Sequence, residues 1–205
     1  MSRRGGVALV LMVGLLLTGC MPEPGGTEPG DAGSTVPSGG PSDAPAPEAS
    51  VGTGSAVVVP GDCGEVLSDA ELSELTGQEQ YLAPDLPSLE ALPGPVARET
   101  AQRADERLDC MWWVVNVWEG SLPLFISRTT AEAQAALIDG LLTSTLYTET
   151  TVGGERAFTS SYTDEIAVHQ VVYVFVEDVW IAVVAAVAPA TAVAIAERAL
   201  TAVTG

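Results

Sequence analysis

The sequence contains no lysine, and its only histidine is His169. All eight of its cations are arginines, set against 27 acids, and the formal net charge is −19. A chain this acidic repels phosphate backbones, which argues against nucleic acid as a partner. It argues equally against holding an anionic lipid surface by charge. The bland meaning of such acidity is a well-solvated face. Catalytic signatures are missing as well. There is no Gly-x-Ser-x-Gly, no His-Glu-x-x-His and no phosphate-binding glycine loop. His169 alternates with Ala167, Val171 and Tyr173, a setting for a packed or edge histidine and not for a general base. Glu65, Asp69, Glu71 and Glu74 cluster without an Asp-x-Asp-x-Asp-Gly loop, so capping and solvation explain them better than calcium does. The expectation is therefore no metal, no cofactor and no enzyme, although 27 acids leave carboxylate-pair chemistry open.

Cysteine is scarce too. There are three, Cys20, Cys63 and Cys110, with no Cys-x-x-Cys spacing. Two cysteines and one histidine fall short of a zinc site. The first of the three has a distinctive setting. Arg3 and Arg4 precede an apolar run from Val7 to Leu17, and Thr18-Gly19-Cys20 closes it. That is the layout of a secretory signal peptide over 1–19, and it is too short for a spanning helix of about 20 apolar residues. Leu17-Thr18-Gly19-Cys20 resembles the bacterial lipobox, which implies lipid on the Cys20 sulfur and cleavage just before it. Two acyl chains anchor a protein stably where one does not. The expected location is the outer face of the cytoplasmic membrane or the cell envelope, held by lipid. Without 1–19 the chain keeps six arginines against the 27 acids, a net charge of −21. With Cys20 lipidated, Cys63 and Cys110 remain as an even pair in an oxidising compartment, where a disulfide is the expectation.

Residues 21–60 hold eight prolines, eight glycines and five serines, with no aromatic and no base. Such a segment cannot bury enough apolar surface to offset its ordering entropy, so 20–60 read as a lipidated, disordered tether. As a flexible coil it would span about 35 Å. The globular domain is expected over 61–205, a normal length for one core.

Within that domain, Ser68-Asp69-Ala70-Glu71 is a capping box, Leu67 and Leu72 can form its hydrophobic staple, and Gly77 supplies the left-handed stop. Four prolines between Tyr81 and Pro95 argue against any regular element there. Leu108 to Val117 reads as a strand with Cys110, Trp112 and Val114 on one face and Met111, Trp113 and Val115 on the other. Leu122, Leu124 and Ile126 alternate in a second strand. Thr129 with Glu132 offers a second capping box, opening a helix to about Leu146 with Ala133, Leu137 and Leu141 inward. A glycine turn at Gly153-Gly154 runs into another strand. Residues 166–176 and 179–187 form an antiparallel hairpin, apolar on both faces and so central in its sheet. Pro189 opens a last helix to about Val203. Val179 to Ala196 lacks charge for eighteen residues, but Pro189 inside it favours strand plus helix over a membrane span. The expected fold class is α+β, a single domain of mainly antiparallel sheet with about three packing helices and one internal disulfide.

Asp62-Cys63, the Val66-to-Leu72 segment with Gly77, and Cys110-Met111-Trp112 together resemble a family of actinobacterial lipoproteins of unknown function. Gly154-Glu155-Arg156-Ala157-Phe158 is similar to a turn found later in such chains, and extracellular sensor domains of mycobacterial receptor kinases look distantly alike. The resemblance implies an α+β fold in the cell envelope and no catalytic residue. The doubled Trp112-Trp113 departs from it.

Aromatic side chains are the remaining site candidates. Trp113, Trp118, Tyr162, Tyr173 and Trp180 would line an apolar groove if they converge. The preferred reading is a membrane-anchored binding or sensing module, with a small apolar ligand or an envelope protein as partner. The competing reading is a scaffold lipoprotein with a flat apolar patch and no small-molecule ligand.

Overall fold

The computed structural model describes residues 56–83, 87–117 and 120–205. The expectations for the signal segment, for Cys20 and its lipid, for most of the tether and for Trp118 lie outside the described residues.

The chain folds as α1 (Cys63–Val66), α2 (Asp69–Thr76), β1 (Gln80–Leu82), a 3-10 turn (Leu89–Ala91), α3 (Pro95–Gln102), β2 (Glu106–Val114) and β3 (Ser121–Arg128), then α4 (Ala131–Thr143), β4 (Thr148–Val152), β5 (Glu155–Thr163), β6 (Val168–Val176), β7 (Val179–Ala185) and α5 (Pro189–Thr204). Every strand pairing is antiparallel, in the order β1-β2-β3-β7-β6-β5-β4. The class is α+β, one domain with one disulfide, as the sequence indicates. Helices cover both faces of the sheet. On the first face α1, α2 and α5 pack over Cys110, Trp112, Leu124, Ile126, Ile181 and Val183. On the second face α3 and α4 pack over Phe125, Phe158, Tyr173, Phe175 and Trp180. β6 and β7 feed both cores, which is why their sequences are apolar at nearly every position. β7 sits centrally, and the uncharged stretch that includes it continues into α5. Among the described residues no helix is long and apolar enough to cross a membrane.

The first-face helices are fixed by local chemistry. The Glu71 backbone N–H donates to Ser68 Oγ at 3.3 Å, and the Ser68 backbone N–H donates to Glu71 Oε2 at 3.0 Å. Gly77 ends α2 at φ 70°, in the left-handed region. Leu67 and Leu72, the expected staple, are both buried in the first core. The Ser68 hydroxyl also holds the Glu71 carboxyl below its ordinary pKa. Ser68→Ala removes the cap, and urea unfolding should show a loss of about 1 kcal/mol.

The disulfide joins Cys63 of α1 to Cys110 of β2, with a Cα–Cα separation of 5.7 Å. Trp112 lies in the same buried core as Cys110, and its indole N–H donates to Asp69 Oδ1 at 3.1 Å. That oxygen also accepts the Leu82 backbone N–H at 2.9 Å. One carboxylate on α2 therefore ties down β1 and the core tryptophan together.

Four local expectations need correction. The 81–95 segment is not wholly irregular: it contains part of β1 and the 3-10 turn, and Pro95 takes the first position of α3, where a missing N–H costs nothing. The cap of α4 is Thr130 and not Thr129. Thr130 Oγ1 accepts from the Ala133 N–H at 3.2 Å, while Thr129 is buried and donates both its N–H and its hydroxyl to the Asp178 carbonyl. α4 ends at Thr143, before Leu146, with Ser144 in extended backbone as its C-cap. The packed part of the domain also begins before Gly61. Val57 is buried in the first core, the Val58 N–H donates to Val203 O at 3.0 Å, and Arg128 Nη2 donates to Val57 O. Two short helices, α1 and α3, therefore add to the three that the sequence pattern signals.

Candidate functional site

α4 presents Leu137, Gly140 and Leu141 at positions i, i+3 and i+4, the spacing of a single helix face, and Ser144 follows as its extended C-cap. Leu137 and Leu141 are buried against the second core, while Gly140, beside them, is exposed. A Cβ built at Gly140 would meet no atom within 4 Å. Packing therefore gives no reason for glycine there, although glycine in a helix interior costs about 1 kcal/mol relative to alanine. What the missing side chain leaves is space. Between α4, α3 and the loop entering α3 lies a cavity of about 280 Å³. Pro93, Gly94, Pro95, Val96 and Ala97 form one wall, the α4 stripe forms another, and Leu146, Tyr147 and Tyr173 complete it. No ionised side chain lines it. Its size falls just below the usual 300–1,000 Å³ of ligand sites, which suits a small molecule.

The inner wall is Tyr173 of β6, fully buried. Its ring stacks with Tyr147 at 5.7 Å and meets Trp180 edge-on at 5.2 Å. Burial raises the Tyr173 phenol well above its ordinary pKa, and it also raises Tyr147. Both phenols are neutral across the physiological range. The Tyr147 hydroxyl adds to the Tyr173 shift, yet no group meets the Tyr173 hydroxyl at full hydrogen-bond distance and angle. The outer rim is apolar: Val96 is 41% and Leu146 is 73% exposed.

A larger hollow, about 650 Å³, opens between β4, β5 and the start of α5. Thr148, Thr150, Thr159 and Ser161 line it. It is a hydroxyl-bearing shelf open to water, with no orphaned polar atom in its wall. The smaller cavity is the better site, because it joins an apolar surface to a buried polar group.

The sequence-selected aromatics do not converge. Trp113, Tyr162, Tyr173 and Trp180 share the second face by strand parity, but Trp113 on β2 and Tyr162 on β5 are four strand spacings apart. At about 4.8 Å per spacing that is roughly 19 Å, too far for one small groove. Trp113 pairs with Tyr81 across the β1–β2 register. Tyr162 stacks on His169 at 4.9 Å, and His169 Nε2 lies 2.8 Å from Asp164 Oδ2. The Ala167 and Ile166 backbone N–H groups hold the Asp164 carboxyl below its usual pKa, so this trio organises the β5–β6 turn. Tyr173 lines the cavity and Trp180 lies behind it. Missed by sequence reasoning were Gly140, Ala97 and Tyr147. A glycine inside α4 was the available signal. Among the described residues, no group of three or more His, Cys, Asp or Glu side chains could hold a metal ion.

Gly140→Ala should raise stability by about 1 kcal/mol, since it adds helix propensity with nothing to strike. Thermal unfolding checks the sign. A fall would show that the glycine is required for the fold and not for the space beside it.

Fold and site together define an α+β domain, sheet between helices, with one small apolar cavity under a helix pair. Set against protein-family models, curated proteins and solved structures, the chain matches none.

Proposed function

We propose that this chain is a membrane-anchored extracytoplasmic lipoprotein whose folded domain binds a small apolar ligand in the cavity between α3 and α4. The lipobox-like Leu17-Thr18-Gly19-Cys20 and the pairing of the other two cysteines support the anchor and the compartment. The resemblance to actinobacterial lipoproteins points the same way. The observation that carries the binding reading is Gly140: a helix-weakening residue at the exposed rim of the cavity, where a side chain would meet no other atom. The scaffold alternative draws on exposed Leu142 and Leu146, but Leu146 borders the same cavity and serves a ligand equally well.

Each half of the proposal has its own test. Cys20→Ala is expected to abolish palmitate labelling and to leave the precursor uncleaved by the lipoprotein peptidase. Normal labelling of that variant contradicts the anchor. For binding, an organic extract of the producing cell's own envelope is added to the purified mature chain and thermal unfolding is followed. The wild type should gain several degrees and Gly140→Leu, with its cavity filled, should gain nothing. Equal responses, or none in either, contradict the site.

A further inference from the structure

Three polar atoms in the second core have no hydrogen-bond partner among the described residues: Ser127 Oγ, Tyr173 Oη and Trp180 Nε1. Most buried polar groups are paired, and each exception calls for a reason. Their residues are neighbours on the sheet. Ser127 is directly opposite Trp180 in the β3–β7 register, and the Trp180 ring meets Tyr173 edge-on at 5.2 Å. All lie on the sheet face that α3 and α4 cover, and Tyr173 is at once a member of this cluster and the inner wall of the cavity.

Their chemistry has a direction. An indole N–H donates and cannot accept, and a neutral phenol is free to donate. The Tyr173 hydroxyl, the one of the three on a side chain that lines the cavity, therefore lacks an acceptor. A carboxylate would supply one, but no cation lines the cavity to balance it. Arg98, whose charge is felt at Tyr173, already donates to Leu92 O at 2.9 Å and lies 3.8 Å from Glu90. An unpaired charge in an apolar cavity is strongly disfavoured. A carbonyl or ether oxygen supplies two lone pairs without that cost.

The Tyr173 hydroxyl is closed to water, and the Tyr147 ring stacks on the Tyr173 ring. Tyr147 belongs to the short link between α4 and β4 and is only partly buried, so it is the group placed to turn aside. We propose that the ligand is an uncharged apolar molecule bearing a carbonyl oxygen, which accepts from the Tyr173 hydroxyl once Tyr147 has moved off Tyr173. The inference rests on the binding reading above and names the ligand class of the same cavity.

The test uses the full mature chain and three probes of equal carbon number: 2-hexanone, hexane and hexanoate. Binding is read by NMR, following the cavity methyl groups and the Trp180 Nε1–H resonance, assigned with Trp180→Phe. The expected result is that 2-hexanone binds more tightly than hexane and shifts that indole proton, whose ring meets Tyr173 edge-on. Hexane should perturb the methyls without that shift, and hexanoate at neutral pH should do neither. Tyr173→Phe should weaken 2-hexanone roughly fivefold to tenfold, the factor one neutral hydrogen bond supplies, and leave hexane unchanged. If 2-hexanone and hexane bind alike, with no indole shift and no effect of Tyr173→Phe, the carbonyl class is overturned while the cavity stands. Binding of hexanoate as tight as that of 2-hexanone overturns the uncharged class. If no probe binds, and wild type and Gly140→Leu give the same spectra with each, the binding reading falls with it.

Discussion

Replacing Cys63 and Cys110 together by alanine is expected to lower the unfolding free energy by about 4 kcal/mol. The bond closes a loop with a sequence separation of 47 residues. In the chain-entropy model a loop of that length removes denatured-state freedom worth about 4 kcal/mol at 25 °C. For a domain of this size the melting temperature should fall by roughly 10–15 °C. The effect should be large because the two cysteines join otherwise separate parts of the fold. α1 has only four residues, too short to hold itself against the sheet, and Cys63 pins it to β2 beside α2 and α5. Differential scanning calorimetry in oxidised buffer, against wild type with and without reductant, reads the difference. A loss below 1 kcal/mol would mean that the first core holds α1 without help.

The second large effect is expected at Trp112. This side chain is fully buried in the first core, which it shares with Cys110, and its indole N–H reaches the Asp69 carboxylate. Trp112→Ala removes the largest side chain in that core and should cost about 3–5 kcal/mol through lost burial and the cavity left behind. That is a large share of the 5–15 kcal/mol by which a domain is stable. It also leaves Asp69 with one donor fewer. Trp112→Phe separates the two contributions: it restores most of the volume, loses the indole N–H, and should cost clearly less than alanine. Urea denaturation of both variants checks the order. Equal losses would show that the hydrogen bond to Asp69, and not the packing, dominates.

Trp112 and Trp113 also show what a sequence makes legible. Strand parity separates them at once: Trp112 faces the disulfide and Trp113 the other side. Parity says which face a residue takes, but not how many strands lie between two residues on that face. A groove assembled from Trp113, Tyr162, Tyr173 and Trp180 therefore spreads across the sheet, because β3, β7 and β6 come between β2 and β5. The disulfide was readable by subtraction, once Cys20 was assigned to lipid. The capping box at Ser68 and the β6–β7 hairpin were readable because local hydrogen bonding and alternation dictate them.

β4 and α3 were not readable, for different reasons. β4, Thr148 to Val152, is an edge strand with four of its five residues exposed, so it carries no apolar alternation. α3 buries Ala97, Thr100 and Ala101, but its amphipathic pattern runs for only eight residues from Pro95, straight after Pro93-Gly94, too short to stand out from the proline-rich segment before it. The cavity escaped for another reason. It is made by what α4 and its neighbours lack, and hydrophobic periodicity registers side chains that are present. Only Gly140, a glycine inside a helix, left a trace.

Native mass spectrometry of the mature chain, extracted gently from the membrane fraction in which the proposal places it, shows directly whether that space is occupied in the cell. The expected spectrum has a small neutral molecule on the wild-type chain, in addition to the diacylglyceryl mass on Cys20, and lacks it on Gly140→Leu. A wild-type chain carrying the anchor alone, or a small molecule held equally by both chains, would contradict a ligand in the α3–α4 cavity.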